Sequence, residues 1–390
     1  MKNHYNIIIA GAGGIAEAAG LLLAEWSAST PTIYIGDRIL KKAQQVAQWI
    51  MDGSTKPCKV IAFQMDATIM SADMDRIFAN GDALLDCLPG SLAPNMALMA
   101  KNHKLYYANL TEYVAETNRI IALSKDAETG FVLQTGLAPG YINVLANYMF
   151  QNFCKHYNVE QVDSLELKVG ALTHHAIAPH YYGFTWSPIG VATEYVKDCV
   201  VIRDYKKTTL PALSERARII INGIHYEEDL TSGGAADLPN ALRGLVKRLD
   251  YKTLRHPGHY DWVAKQLNNL KPSEDPISGL QHSMQNNIPH IQDDQIVIYA
   301  AVESKDATGT LRRQEIAKRI LPQQVGKHRL RAIQITTAAP LLQAINWLLE
   351  TKPKGVVFQS QLDAPAFLHG DFIKRVYGVP DSIDVGILTS

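Results

Sequence analysis

From residue 5 to about residue 136, short apolar runs alternate with longer segments whose apolar residues recur at helical spacing. Strands buried on both faces read as continuous apolar runs, and parallel strands need helical crossovers, so this rhythm predicts successive βαβ units. Strands are expected at residues 6–10, 32–36, 59–64, 83–88, 104–108 and 130–134, with helices at 15–26, 39–51 and 94–102. Six such strands make a doubly wound parallel sheet of the Rossmann type, in an α/β chain.

The rhythm changes after "TGLAPGYINVLANYMF". Between about 160 and 337 the strand-like runs "DSLELKVGAL", "CVVIRD", "RARIIING" and "DQIVIYAAVES" are separated by longer irregular connections, which predicts an antiparallel or mixed sheet. Residues 340–377 read as two helices, "PLLQAINWLLE" and "PAFLHGDFIKRVYG", split by "TKPKG". The expected division is a Rossmann-type parallel-sheet domain at 1–138, a second, mixed α/β domain at 139–338, and a C-terminal helical segment at 339–390.

The length of 390 residues agrees with more than one core, since single cores stop growing at roughly 250–300 residues. The 38 basic side chains balance the 38 acidic ones, so bulk charge favours neither a nucleic-acid nor a membrane partner. Four separated cysteines, Cys58, Cys87, Cys154 and Cys199, read as reduced thiols of a cytoplasmic protein. No apolar run approaches the ~20 residues that span a bilayer, and the N-terminus lacks the pattern of a signal peptide. A soluble protein acting on a small molecule is expected.

Gly11, Gly13 and Ala16 form G-x-G-x-x-A between the first strand and first helix. The first glycine permits the tight turn, the second lets a diphosphate approach the backbone, and the alanine allows close helix–strand packing. Ala12, Gly14 and Ile15 complete this turn, whose amides and helix dipole favour an anion. Asp37 ends the next strand, about 20 residues on, where a carboxylate accepts hydrogen bonds from ribose hydroxyls. That acid favours NAD, while Arg38 beside it keeps NADP as the alternative. Asp66 and Ala67 follow the third strand and either touch adenine or serve a helix N-cap. Leu88, Pro89 and Gly90 after the fourth strand, with Gly136 and Leu137 after the sixth, fall on the carboxyl edge where such sheets bind ligands.

Five stretches together carry a family likeness: "GAGGIAEAAGLLL", "TGLAPGYINVLA", "FTWSPIGVATEYVKDCVVIRD", "LTSGGAADLPNAL" and "LDYKTLRHPGH". In this order they resemble the saccharopine dehydrogenase family, most closely its lysine 6-dehydrogenase branch. The resemblance implies a dinucleotide-binding first domain, a second domain for catalysis and dimerisation, C-terminal helices that return to the first domain, a homodimer, and hydride transfer at a carbon bearing nitrogen. Glutamate-forming saccharopine dehydrogenases read GLDPG where this chain has Ala138 in "GLAPG", which weakens saccharopine as substrate. Asn109 in "YYANLTEY" stands where the lysine 6-dehydrogenase branch usually shows an aspartate.

Oxidising an amine of pKa near ~10.4 requires a base to remove its proton before hydride leaves. Tyr107, His175, Glu194 and His256 are the candidates, and Arg203, Lys252 and Arg255 are the cations suited to a substrate carboxylate. The residues expected to act in catalysis are Tyr107, His175, Glu194, Arg203 and Lys252. His174, His175 and His180 read as loop histidines rather than metal ligands, so no metal is expected. Thr231–Gly234, "TSGG", either clamps substrate or joins strands. The expected function is hydride transfer between NAD(P) and lysine or a lysine-derived amino acid, through an imine. The alternatives are a dinucleotide-binding sensor without turnover and a polyamine-pathway reductase resembling carboxynorspermidine or homospermidine synthase.

Overall fold

The structure, a computed structural model, describes residues 4–380. Six strands, β1 (Asn6–Ala10), β2 (Thr32–Asp37), β3 (Lys59–Gln64), β4 (Ala83–Asp86), β5 (Tyr106–Asn109) and β6 (Gly130–Val132), lie parallel in one sheet. β1 pairs with β2 on one side and with β4 on the other, so the chain reverses its direction of travel across the sheet there. Loops after β1 and β4 therefore diverge and leave a crevice at the carboxyl edge. Helix Gly14–Trp26 is buried on almost every side, because the sheet covers one face and helix Ala332–Thr351 another.

Three strands end earlier or start later than their apolar runs suggest. β4 stops at Asp86, whose carboxylate accepts the Leu88 amide and turns the chain. Lys104 (φ 54°) delays β5, and Gln134 (φ 61°) follows the end of β6.

The second sheet holds β7 (Val162–Thr173), β8 (Cys199–Arg203), β9 (Lys206–Leu210), β10 (Ala217–Ile221), β11 (Ile224–Leu230), β12 (Val246–Arg255), β13 (Asp294–Lys305) and β14 (Leu311–Ile320). Its order is β10-β11-β12-β7-β13-β14, with the β8–β9 hairpin attached to β12, and only β7 and β12 run parallel. Helix Tyr141–Tyr157 covers one face of β7 and β13.

A small hairpin, β15 (Gln323–Val325) and β16 (His328–Leu330), leads into helix Ala332–Thr351, and then β17 (Gly355–Val357) joins the first sheet beside β6. The tail thus differs from the two helices expected: its helix starts well before Pro340, a strand follows, and two short helices, Ala364–Leu368 and Asp371–Tyr377, close it. Proline inside a helix leaves the carbonyl four residues back without a donor. Here the Tyr377 hydroxyl donates to that carbonyl, of Thr336, while its ring stacks on Tyr141 at 3.6 Å.

Asp294, at the start of β13, joins the two sheets. Its fully buried carboxylate accepts the amides of Ala332 (2.7 Å) and Ile333 (2.8 Å), capping helix Ala332–Thr351 from outside its own segment. Three residues into that helix the Gln334 amide donates to the Gly14 carbonyl at 2.8 Å. Asp294→Ala is expected to lower stability by about 1–3 kcal/mol, through the lost cap and two orphaned buried amides. The denaturant midpoint of the full chain checks this, against an exposed control such as Asp73→Ala (exposed, paired with Arg76) that leaves it unchanged.

Candidate active site

A cleft of about 530 Å³ opens between the carboxyl edge of the first sheet and the β7–β12 part of the second. Its near end is the glycine turn. Gly11 adopts φ 104°, and a Cβ there would lie 3.2 Å from the Cys87 carbonyl, so the turn requires glycine. Gly13 sits in ordinary extended geometry (φ −102°), and a Cβ there would meet nothing within 4 Å. Its backbone therefore faces open space at the start of a helix, as diphosphate binding requires. Ala16 is fully buried behind the turn, and Gly14 and Ile15 line the cleft.

The Asp37 carboxylate is held at this turn by the amides of Ala12 (3.1 Å) and Ile39 (2.9 Å), which leave it lone pairs for ribose hydroxyls. Arg38 next to it is exposed. Asp66 is committed to its own loop: it accepts from Thr68 Oγ1 (2.6 Å) and from the amides of Thr68 (2.7 Å) and Ile69 (3.2 Å). Those bonds hold its carboxyl below the usual range. Ser71, and not Asp66, caps the following helix, and neither Asp66 nor Ala67 lines the cleft. Leu88, Pro89, Gly90, Gly136 and Leu137 all line it. The turn, the acid and this wall fit a nicotinamide dinucleotide.

At the far end the cleft is bounded by Tyr251, Thr253 and Arg255 of β12, together with Val169, Trp186, Glu194 and Glu112. Arg255 is 1% exposed and lies over the rings of Tyr182 and Tyr195, at 4.9 and 5.5 Å from their centroids. Its Nε donates to the Tyr195 hydroxyl (2.5 Å) and its Nη1 to the Leu254 carbonyl (2.9 Å). Tyr195 in turn meets His259 Nε2 at 3.1 Å, and His259 Nδ1 meets the His180 carbonyl at 2.7 Å. A carbonyl only accepts, so Nδ1 carries the proton and Nε2 accepts from Tyr195. Burial, reinforced by the Arg255 charge, depresses the His259 pKa to about 3, so this relay stays neutral and fixes the guanidinium. Among the described residues no carboxylate pairs with Arg255 within 4.0 Å.

Glu194, on helix Pro188–Val196, is 7% exposed. Burial pushes its pKa up to about 8, with Arg255 pulling it down and Glu112 adding to the rise. Burial raises Glu112 as well. "TSGG" packs behind this acid: the Ser232 amide donates to the Glu194 carbonyl, and a Cβ at Gly234 would overlap the Tyr251 ring.

The structure does not bring the other expected residues to this cleft. Tyr107 is buried beneath the strand ends, where its hydroxyl donates to Asp86 (2.7 Å), and burial with that carboxylate holds its pKa well above normal. His175 is exposed in the loop after β7. His256 bonds the Thr173 carbonyl at 2.9 Å, outside the cleft. Lys252 lies between Tyr251 and Thr253 and, by strand alternation, points to the opposite face, where it bonds the Glu215 carbonyl (2.8 Å) and faces Glu228 (3.5 Å). Arg203 is spent on Glu215 (2.7 Å) and Asp250 (2.9 Å). Of the three cations weighed from sequence, only Arg255 reaches the site. Glu112, Trp186 and Arg331 also border the cleft; Glu112 has a local sequence signal, "NLTEY" directly after the fifth strand, whereas Trp186 and Arg331 have none that marks a site.

Residues 7–133 match the family described as the saccharopine dehydrogenase NADP binding domain, and residues 136–376 the saccharopine dehydrogenase C-terminal domain. The fold is similar to an apo saccharopine dehydrogenase (L-Glu forming) from Saccharomyces cerevisiae, with TM-score 0.72 and 15% identity over 95% of this chain and 96% of that one. It is also similar to a homospermidine synthase from Legionella pneumophila solved in complex with NAD, with TM-score 0.64 and 13% identity over 96% and 90% of the two chains.

The open space at Gly13 separates folding from binding. Gly13→Val is expected to leave the melting temperature within about 2 °C of the parent, since φ there suits any residue. The same change is expected to raise the NADH dissociation constant by roughly tenfold or more, by titration calorimetry, because the side chain fills the diphosphate's approach.

Proposed function

The chain belongs to the saccharopine dehydrogenase family of NAD(P)-binding oxidoreductases, and from that premise we propose that it oxidises the nitrogen-bearing carbon of lysine or a lysine-derived amino acid. The observation that carries this reading is the charge pattern of one cleft: a buried, unpaired Arg255 with Glu194 and Glu112 beside it. A buried cation with no carboxylate in direct contact is costly, and a substrate carboxylate relieves that cost. The two acids suit the ammonium group of the same molecule.

The nicotinamide, when bound, supplies the hydride acceptor. Arg255, held by Tyr195 and the two aromatic faces, grips the carboxylate and fixes the substrate's orientation. Glu194 takes the amine proton, so that the nitrogen lone pair is free to form the C=N bond as hydride departs from carbon. Its pKa of about 8 suits a base, being closer to that of the amine than an ordinary carboxylate. The apolar walls of Leu110, Val169 and Ile189 limit water until the imine is hydrolysed to carbonyl and ammonia or amine.

Asp37 supports NAD over NADP, because a 2′-phosphate would meet its carboxylate. Asp37→Ala is therefore expected to narrow the ratio of NAD to NADP affinity by about tenfold, measured by titration with both oxidised cofactors.

The polyamine reading is favoured by one feature, the pair of acids, which suits a diamine. A diamine lacking a carboxylate leaves Arg255 without a partner, and for that reason a substrate that carries a carboxylate, such as an amino acid, fits better. The test is reduced-cofactor absorbance with NAD or NADP and a panel of lysine, saccharopine and diamines, plus aldehyde with diamine in the reductive direction. Turnover of an amino acid that Arg255→Ala weakens through KM supports the proposal. Cofactor binding with no turnover across the panel would favour the sensor and sink it. For the base, kcat/KM should rise as pH increases through about 8, where Glu194 ionises, and then level. Glu194→Gln should lower kcat/KM by about 10²–10⁴-fold and abolish that limb.

A further inference from the structure

Arg331 stands immediately before helix Ala332–Thr351, and its guanidinium reaches the cleft where the first helix begins. Nη1 donates to the carbonyls of Thr185 (3.2 Å) and Ile291 (3.5 Å), in loops attached to the second sheet. Nη2 lies 3.5 Å from the position of a Cβ on Gly14. Among the described residues Nε and Nη2 have no hydrogen-bond partner, and no carboxylate comes within 4.0 Å of this cation. Asp294, the acid behind it, is committed to the amides of Ala332 and Ile333, and Glu17 acts on it only at a distance.

A cation at this place faces the positive end of the helix Gly14–Trp26 dipole, which is unfavourable when nothing lies between them. An anion seated between the two is attracted by both. We infer that Arg331 grips the diphosphate of the nicotinamide dinucleotide from the side opposite the glycine turn, with Nε and Nη2 as donors. The inference rests on the cofactor assignment above and adds to it a residue from the far end of the chain. A guanidinium fork suits phosphate oxygens, and Nη1 keeps its bonds to Thr185 and Ile291 meanwhile. The bound diphosphate thereby ties the first helix to the loop carrying Trp186, which borders the amine end of the cleft.

The full-length protein is titrated with NADH, with ADP-ribose and with adenosine over a range of salt concentrations, without substrate. Arg331→Gln is expected to raise the dissociation constants of NADH and ADP-ribose about tenfold and to flatten their salt dependence, leaving adenosine, which has no phosphate, unchanged. Arg331→Lys keeps the charge and should recover most of the affinity. Wild-type affinity and salt dependence in Arg331→Gln overturn the inference, as does an equal loss by the Gln and Lys variants that extends to adenosine. If the parent protein binds neither NADH nor ADP-ribose, the cofactor assignment itself fails and takes this inference with it.

Discussion

Burying a carboxylate is unfavourable unless hydrogen bonds replace its water, and at Asp294 the first two amides of helix Ala332–Thr351 do so. Those amides are equally dependent on the carboxylate, since a helix start leaves them without internal partners. The mutual requirement fixes a strand of the second sheet against a helix that lies along the first helix of the other sheet. From that anchor follow the Gln334 bond to Gly14, the position of Arg331 at the cleft, and the return of β17 to the first sheet. The apolar core runs unbroken across this junction, from β1 and β2 through the helix to the inner side of β7 and β13. With one wall from each sheet, the cleft takes its shape from this joint together with the shared core.

Two features of the cleft oppose stability. Among the described residues Arg255 and Arg331 have no carboxylate within 4.0 Å, and Glu194 is a buried acid whose pKa burial lifts to about 8. On the opposite face of the second sheet, by contrast, Lys168, Lys252 and Arg203 each have acids within 4.0 Å. Equivalent residue types are thus neutralised on one face and left open on the other. Two cations without a carboxylate in contact lining one cavity are the pattern expected of a binding site, where the ligand supplies the missing charges.

The first sheet was legible because its signals are local. A strand, a glycine turn, a helix and an acid at a fixed distance can be read from consecutive residues, and Gly11, Gly13 and Asp37 stand where that reading puts them. β17 was missed because a three-residue strand after "TKPKG" has no period, and Pro340 suggested a helix start although Tyr377 serves the carbonyl it leaves bare. The substrate end was less legible for a geometric reason. Neighbouring residues of β12 point to opposite faces, so Lys252 and Arg255 look alike in sequence, and only the strand's pairing with β7 and β11 decides which one enters the cleft. Arg331 was out of reach because what it approaches, Gly14, is more than 300 residues away in the chain.

The two departures from the family pattern acquire a physical meaning in this setting. Asn109 accepts the Gln134 amide through its side-chain oxygen (2.9 Å) and turns its NH₂ toward the Tyr107 hydroxyl (3.4 Å), which itself donates to Asp86. An aspartate there would bring a second carboxylate next to Asp86, whose own pKa burial already raises to about 6, and would have no hydrogen to offer Tyr107. The amide therefore suits a scaffold that ties the ends of β4, β5 and β6 together. Ala138 lines the cleft itself, so the wall that is acidic in GLDPG relatives is apolar in this chain. The acidic groups of the cleft come instead from Glu112 after β5 and Glu194 on helix Pro188–Val196. The acidic side of the cleft is therefore the one built by these two elements, facing the apolar wall at Ala138.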